Sequence, residues 1–186
     1  MLKISLSEIA EIRFGLHALP GSWGPISYLQ VRHFSEDGLR IPGSEEYLPL
    51  TTKNKSHVLL DGDVLFVGKG SRLFSWCYTK SEQPVIASSI FFVLRPDVKV
   101  VYPEYLSTIL NAPQSKTLFL QLGSGTNIFS IRKSELGAFE IPIPPLAQQK
   151  RIATLARLHQ QETALARQLI AEKQNMYTSI ISKLIK

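Results

Sequence analysis

Four short segments of this chain combine cationic side chains with small polar ones. Lys and Arg donate hydrogen bonds to phosphate oxygens, and Arg, Asn and Ser can also bond to the edges of bases. One such segment alone is typical of a solvated loop, but four in one chain favour a surface for a polyanion such as nucleic acid. The side chains predicted to contact it are Arg32, Lys53, Asn54, Lys55, Lys69, Ser71, Arg72, Ser124, Thr126 and Asn127.

The glycine-rich segment from Gly62 to Gly70 has the outline of a nucleotide-binding P-loop but fails on spacing. Five residues separate Gly62 from Gly68 where the motif has four, and Lys69 is followed by Gly rather than by Ser or Thr. A basic loop flanked by glycines still suits close approach to a phosphate backbone. A plain β-turn is the alternative.

No set of residues points to catalysis or to a metal. Asp61 and Asp63 straddle a glycine before an apolar run, which is more typical of a turn than of a metal site. The four histidines lack metal-ligand spacing, and no hydrolase elbow, Cys/His signature or methyltransferase core is visible. The sequence therefore predicts a non-catalytic protein with no cofactor and no metal.

Composition narrows the class of protein further. Of 21 Lys/Arg and 15 Asp/Glu, seven and two lie in residues 146–186, so most of the net charge of +6 belongs to the C-terminal segment. That basic segment could face a polyanion or an acidic protein. The single cysteine, Cys77, excludes an internal disulfide, and no signal peptide or membrane-length apolar run is visible. We therefore expect a cytoplasmic protein that does not contact a membrane.

The elements that must position these side chains follow from apolar periodicity and from turn residues. Short apolar runs predict strands at 26–34, 47–50, 64–67, 73–79, 85–94 and 139–143. Pro103 begins a predicted helix that ends near residue 110, and a second helix covers 114–122. The prediction is an α+β fold, in which a mixed β-sheet domain at 1–144 precedes a long C-terminal helix at 145–186.

That long helix is the strongest local signal in the chain. Pro144 and Pro145 precede forty residues without Gly or Pro, so we predict one helix of about 60 Å over 145–185. Glu162 and Lys173 interrupt its apolar seam, so a long perfect zipper is not expected. The helix could pack on its own domain, but the spacing favours coiled-coil pairing with another copy or another subunit. The apolar stripe predicted to form this interface comprises Ile152, Leu155, Leu158, Leu165, Leu169, Met176, Ile180 and Leu184.

These features together resemble the specificity subunit of type I restriction–modification systems. The motif IPIPPLAQQKRIA at 141–153 is similar to the family's entry into its long helix, and LLDGDVLFVGKGS at 59–71 agrees in order and spacing. So do IASSIFFVLRP at 86–96, GSGTNIFSIRKSELGAFEIP at 123–142 and the opening LSEIAEIRFG at 6–15. A full subunit carries two recognition domains and two such helices, whereas this chain has one of each and resembles a half-subunit.

The resemblance implies a function that the residues alone do not specify. It implies a non-catalytic target-recognition domain that reads a half-site in double-stranded DNA. It also implies a helix that docks modification (methyltransferase) subunits, and possibly a restriction subunit, and spaces two half-sites in a homodimer. The competing hypotheses are a protein-binding adaptor oligomerised by its helix and a catalytic nuclease or methyltransferase. Salt-dependent binding to specific duplexes would distinguish a DNA-recognition subunit from a protein-binding adaptor. An activity assay would distinguish it from a catalytic nuclease or methyltransferase.

Overall fold

The computed structural model describes residues 2–35, 38–41, 43, 46–81, 83–122 and 129–185, and of Lys53 it describes the backbone alone. The chain divides into two compact units, Met1–Lys150 and Arg151–Lys186. The first unit holds mixed β-sheets and short helices, and the second is helical. The predicted α+β class with a long C-terminal helix is therefore confirmed.

The first unit contains many short strands. Within the described residues they are β1 (Lys3–Ser5), β2 (Ala10–Phe14), β3 (Ile26–Leu29), β4 (Tyr47–Leu48), β5 (Val64–Val67), β6 (Lys69–Gly70), β7 (Ser75–Cys77), β8 (Val85–Ala87), β9 (Phe91–Pro96), β10 (Phe129–Ser130) and β11 (Glu140–Pro142). The helices are α1 (Leu6–Ile9), α2 (Thr52–Lys55), α3 (Pro103–Asn111), α4 (Pro113–Leu122), α5 (Lys133–Gly137) and α6 (Leu146–Leu184), with one 3-10 turn, Val31–His33.

A four-stranded antiparallel sheet, ordered β2-β9-β5-β7, holds the main core. Every residue of β5 is fully buried, because its continuous apolar run faces the core on both sides. The helices α3 and α4 cover this sheet, with α3 against β5 and β7 and the Phe119 ring of α4 4.9 Å from that of Phe66. The predicted strand at 64–67 is thus confirmed.

A smaller sheet, ordered β4-β3-β8, pairs β3 antiparallel to β4 and parallel to β8. The single strand predicted over 85–94 is wrong, because a turn at 88–90 divides it into β8 and β9. The amide of Phe91 donates to the carbonyl of Ser88 across this turn. The two halves join different sheets, a division that apolar content alone does not reveal.

The predicted strand at 26–34 ends early, at Leu29. The amides of His33 and Phe34 donate to the carbonyls of Gln30 and Val31, so the chain turns into the 3-10 helix Val31–His33. This turn places Arg32 at the carboxyl end of β3.

The long helix begins at Leu146, one residue after the double proline, and continues to Leu184. Its first turn is anchored by Gln149, whose side chain is fully buried. The Gln149 amide donates to the carbonyls of Val100 and Pro144, and its oxygen accepts from the backbone amide of Tyr102 at 2.8 Å. Across the described part of the chain, no helix combines the length and hydrophobicity needed to cross a bilayer.

Candidate nucleic-acid interface

The exposed side chain of Lys69 stands on a short ladder between β6 and β10. Lys69 pairs with Ser130 and Gly70 pairs with Phe129 in this antiparallel ladder. The preceding Gly68 lies so close to the Phe92 ring that an added Cβ would come within 2.4 Å of it. Gly70 has a φ of +135°, a backbone conformation that L side chains rarely adopt. The glycines predicted to allow close approach to phosphate therefore also fix the path of the strand.

Arg72 links the loop after β6 to the 3-10 turn. Its guanidinium donates to the carbonyl of Phe34 at 2.7 Å and to the carbonyl of Val31. Because the side chain is half-buried and engaged with backbone, it holds two loops together. Arg32 stands on one of the loops that it joins.

Arg32 is the most exposed member of a polar cluster centred on Glu46. Its guanidinium forms an ion pair with the Glu46 carboxylate, and this hydrogen bond raises the pKa of Arg32 above its usual value. The same carboxylate accepts from the Gln30 side chain at 2.8 Å and lies 3.4 Å from Nε2 of the buried His33. Nδ1 of His33 accepts a hydrogen bond from the backbone amide of Gln30. In the neutral ring the proton therefore sits on Nε2 and faces Glu46.

The α2 segment carries the second predicted cluster. Lys55 is exposed, whereas Asn54 is buried and its side chain donates to the carbonyl of Pro49 at 2.8 Å. The hydroxyl of Thr51 caps the helix by accepting from the Asn54 amide. The Asn54 side chain therefore supports this loop from within.

Hydrogen bonds join two of the segments predicted to contact nucleic acid, the Arg32 turn and the Lys69 loop. A third predicted segment lies next to them in sequence. Arg72 joins the Lys69 loop to the Arg32 turn, and Ser71 is exposed between these two basic residues in the chain. Phe129, which pairs with Gly70, follows Asn127 by two positions. Ser124, Thr126 and Asn127 themselves lie outside the described residues, as does the side chain of Lys53.

The α2 cluster lies at the opposite end of the small sheet. Arg32 follows the carboxyl end of β3. The strand β4 runs antiparallel to β3, so it ends beside Ile26 at the opposite end of β3, and the chain then enters α2. A strand advances about 3.3 Å per residue, so the four residues of β3 separate the two ends by about 13 Å. One helical turn of duplex DNA, about 34 Å, is longer than that separation.

Glu46 is a residue of this surface that the sequence did not single out. It lies fourteen positions from its partner Arg32, and the two meet because Tyr28 and Glu46 are joined backbone to backbone beyond the β3–β4 pairs. An acidic residue beside a short apolar run is too common to be a signal on its own. Only the strand pairing identifies it.

Asp61 and Asp63, the two aspartates considered as metal ligands, both make structural hydrogen bonds. Gly62 between them has a φ of +82°, as the predicted turn requires, and the Asp61 carboxylate accepts from the Lys80 amide. Asp63 is buried and makes a double hydrogen bond with Arg95. Among the described residues, no three His, Cys, Asp or Glu side chains are grouped so as to hold a metal.

Burial makes Cys77 a poor nucleophile. Desolvation, reinforced by the charges of Glu104, Asp61 and Asp63, raises the pKa of the Cys77 thiol to about 12. Thiol chemistry requires the thiolate, which is scarce at neutral pH at such a site.

The first unit is a small α+β domain with an exposed basic edge, and a long helix follows it in the chain. The family model of the type I restriction modification DNA specificity domain matches residues 38–173. This match covers well over half of the chain, which therefore belongs to that family. No curated protein shows significant similarity to the chain.

Solved structures that share the fold include the following three. The S subunit of a type I restriction–modification system from M. genitalium aligns at 15% identity with a TM-score of 0.59, over 86% of this chain and 39% of its own. The HsdS subunit from Thermoanaerobacter tengcongensis aligns at 21% with a TM-score of 0.53, over 89% and 39%. A structure described for complex assembly and conformational transition of the type I R-M system aligns at 19% with a TM-score of 0.67, over 94% and 45%. The chain thus spans less than half the length of each.

Proposed function

We propose that this chain is the non-catalytic DNA sequence-recognition subunit of a type I restriction–modification complex. The observation that carries the proposal is the joining of the Arg32 turn to the Lys69 loop through Arg72, beside the strand that follows Ser124–Asn127 in sequence. A basic edge built on paired strands provides phosphate contacts on a rigid frame. Family membership supports double-stranded DNA as the polyanion.

We assign different roles to the predicted contact residues. Lys55, Lys69 and Ser71 are exposed and would touch DNA directly, as would Lys53, Ser124, Thr126 and Asn127. Arg32 would exchange its ion pair with Glu46 for a phosphate. Asn54 and Arg72 would act by positioning their loops, because both side chains are bonded to backbone carbonyls.

The proposed partners are modification subunits, which would carry the methyl transfer, together with a restriction subunit where one is present. The chain would pair with a second copy through α6 in the cytoplasm, and it would need no cofactor or metal of its own. The apolar stripe of α6 supports this pairing, because exposed leucines at coiled-coil spacing are a helix-pairing face. Two copies on a twofold axis would then read two half-sites.

Replacing Lys69 with Ala should weaken binding to every duplex and lower the slope of log affinity against log salt by about 0.9, the loss of one phosphate contact. If Lys69 reads a base instead, specificity at one base pair should fall by about 1–3 kcal/mol. The measurement is a salt titration with labelled duplexes.

Lys99→Ala is the matched control for this titration. Lys99 is exposed and follows β9 at the end of the sheet opposite to Lys69, because β9 pairs through Phe91 with Val67 and through Pro96 with Ala10. The two variants lose the same charge, so only Lys69→Ala should change the slope. Equal slopes in both variants and the wild type would remove Lys69 from the interface.

The methylome of a host in which this chain is the sole specificity protein tests the function as a whole. Two identical domains on a twofold axis read inverted copies of one half-site, so we expect a palindromic motif. The helices should leave a gap of unread bases between the copies, and removing whole helical turns should shorten the gap with little change to the half-sites. An asymmetric or ungapped motif would contradict homodimeric reading. No modified motif, despite the modification subunits, would contradict the function.

A further inference from the structure

The turn-rich segment between β2 and β3 is a rigid loop despite its glycines and prolines. At its start the Leu16 amide donates to the carbonyl of Ala87, and the hydroxyl of Tyr28 donates to the carbonyl of Leu16 at 2.7 Å. Further along, Gly21 and Tyr47 exchange two backbone hydrogen bonds of 2.9 and 3.0 Å. The loop is therefore tied to β8 at one point and to β4 at another.

Gly24 adds a third attachment. An added Cβ at this position would lie 2.6 Å from the carbonyl oxygen of Leu48, so only glycine lets the loop lie this close to β4. Between the attachments at Gly21 and Gly24 the chain presents Trp23, which is 84% exposed. The structure thus holds an indole in solvent on a fixed backbone.

Trp23 is exposed although a small core lies beneath the loop. Leu16 belongs to a buried cluster with Tyr28 and Ile86, and Ala18 packs against it. A tryptophan offers more apolar area than any other side chain, yet this one lies outside the cluster. Leu19 on the same loop is 91% exposed, so two of the three large apolar side chains of this segment face solvent while Leu16 is buried.

The charge around this loop favours DNA as its partner. Leu48, against which Gly24 packs, leads through Pro49 into α2, and the Asn54 side chain holds the Pro49 carbonyl. The exposed Lys55 at the end of α2 is thus joined to the Trp23 loop by a few bonded residues. The Arg32 turn follows the other end of β3, a strand of four residues that is about 13 Å long, so a single duplex can reach both.

We propose that Trp23 is a DNA-contacting side chain that packs its ring against the bases of the half-site. This inference rests on the proposed function and deepens it, because it adds an apolar base contact to a site otherwise made of charged and polar side chains. In a duplex the base faces are covered by their neighbours, so a rigid aromatic ring packs against base edges such as the thymine methyl group, through apolar area rather than through charge. The contact should therefore alter affinity without altering salt dependence.

The two tryptophans of the chain allow a direct test. Trp76 is half-buried with its ring 5.4 Å from that of Phe34, so Trp76→Phe retains an aromatic ring there and leaves Trp23 as the single tryptophan. In the full-length Trp76→Phe protein, a duplex carrying the motif identified by the methylome should quench the Trp23 emission. A scrambled duplex of equal length should quench it less.

Affinity measurements complete the test. Trp23→Ala should lower affinity for the specific duplex about tenfold with an unchanged salt slope, and Trp23→Phe should retain most of the affinity. Wild-type affinity in Trp23→Ala, or no quenching in Trp76→Phe, would overturn this inference while the proposed function stands. Loss of modification-subunit binding with unchanged DNA affinity would make Trp23 a protein contact and would also overturn it. Failure of the wild-type chain to bind DNA would overturn the proposed function itself.

Discussion

Replacing Leu155, Leu165 and Leu169 together with Asp should convert a self-associated protein into monomers and abolish DNA modification by the complex. These side chains are 69%, 68% and 56% exposed on α6, and each would be buried in a helix pair. A buried leucine contributes about 1.5–3 kcal/mol. Because about two-thirds of each side chain is still exposed, six of them in a dimer would contribute about 6–12 kcal/mol, comparable with the whole free energy of a micromolar association, about 8 kcal/mol.

Sedimentation at micromolar concentration measures the outcome. The control is a triple variant in which Gln160, Ala171 and Gln174 are replaced with Asp. It adds the same three charges to the opposite side of α6, away from the apolar stripe. The control should remain a dimer. If the wild-type chain sediments as a monomer, with and without its partners, the homodimer proposal is wrong. Monomers of both variants would show that charge, rather than the apolar stripe, controls association.

Replacing Asp63 with Ala should destabilise the first unit by about 3–5 kcal/mol, a large part of the stability of a typical domain. Asp63 is 1% exposed, and its two oxygens accept from Nε and Nη2 of Arg95 at 2.9 and 2.8 Å. Its carboxylate also accepts from the Leu60 amide. The substitution leaves the Arg95 guanidinium, which is three-quarters buried, without its partner.

Urea denaturation of the two aspartate variants separates a buried pair from a turn residue. Asp61→Ala, two positions away, removes one exposed hydrogen bond to the Lys80 amide and should cost less than about 1 kcal/mol. Adding Arg95→Met to Asp63→Ala should recover part of the loss, because it removes the unpaired charge. Equal stability of the two single variants would contradict a structural role for the ion pair.

The elements that were predicted well are those whose signals lie within a few residues. The double proline, the absence of Gly and Pro and the apolar stripe place α6 to within one residue at each end. The run at 64–67 is buried on both faces, as its continuous hydrophobicity indicates. The motif around Gln149 resembles the family's helix entry, and its fully buried amide, bonded to three backbone groups, explains the need for that residue.

The predictions that failed depended on partners distant in sequence. Residues 85–94 are apolar and β-prone throughout, but their halves pair with β3 in one sheet and with β2 and β5 in another. The helix α2 was missed because its four residues are too few for a periodic pattern. Tertiary pairing overrode local propensity at these positions.

The candidate site shows the same division. By itself, the sequence determined which residue types could meet DNA and that a long helix follows the domain, because charge, polarity and helix capping are properties of neighbouring residues. Only the tertiary structure decided which basic residues face solvent and which support loops. Arg72 reaches carbonyls 38 and 41 positions away, and the rigidity of the Trp23 loop depends on backbone bonds to β4 and β8. Such contacts form when strands pair across long loops, and no local pattern of residues encodes that pairing.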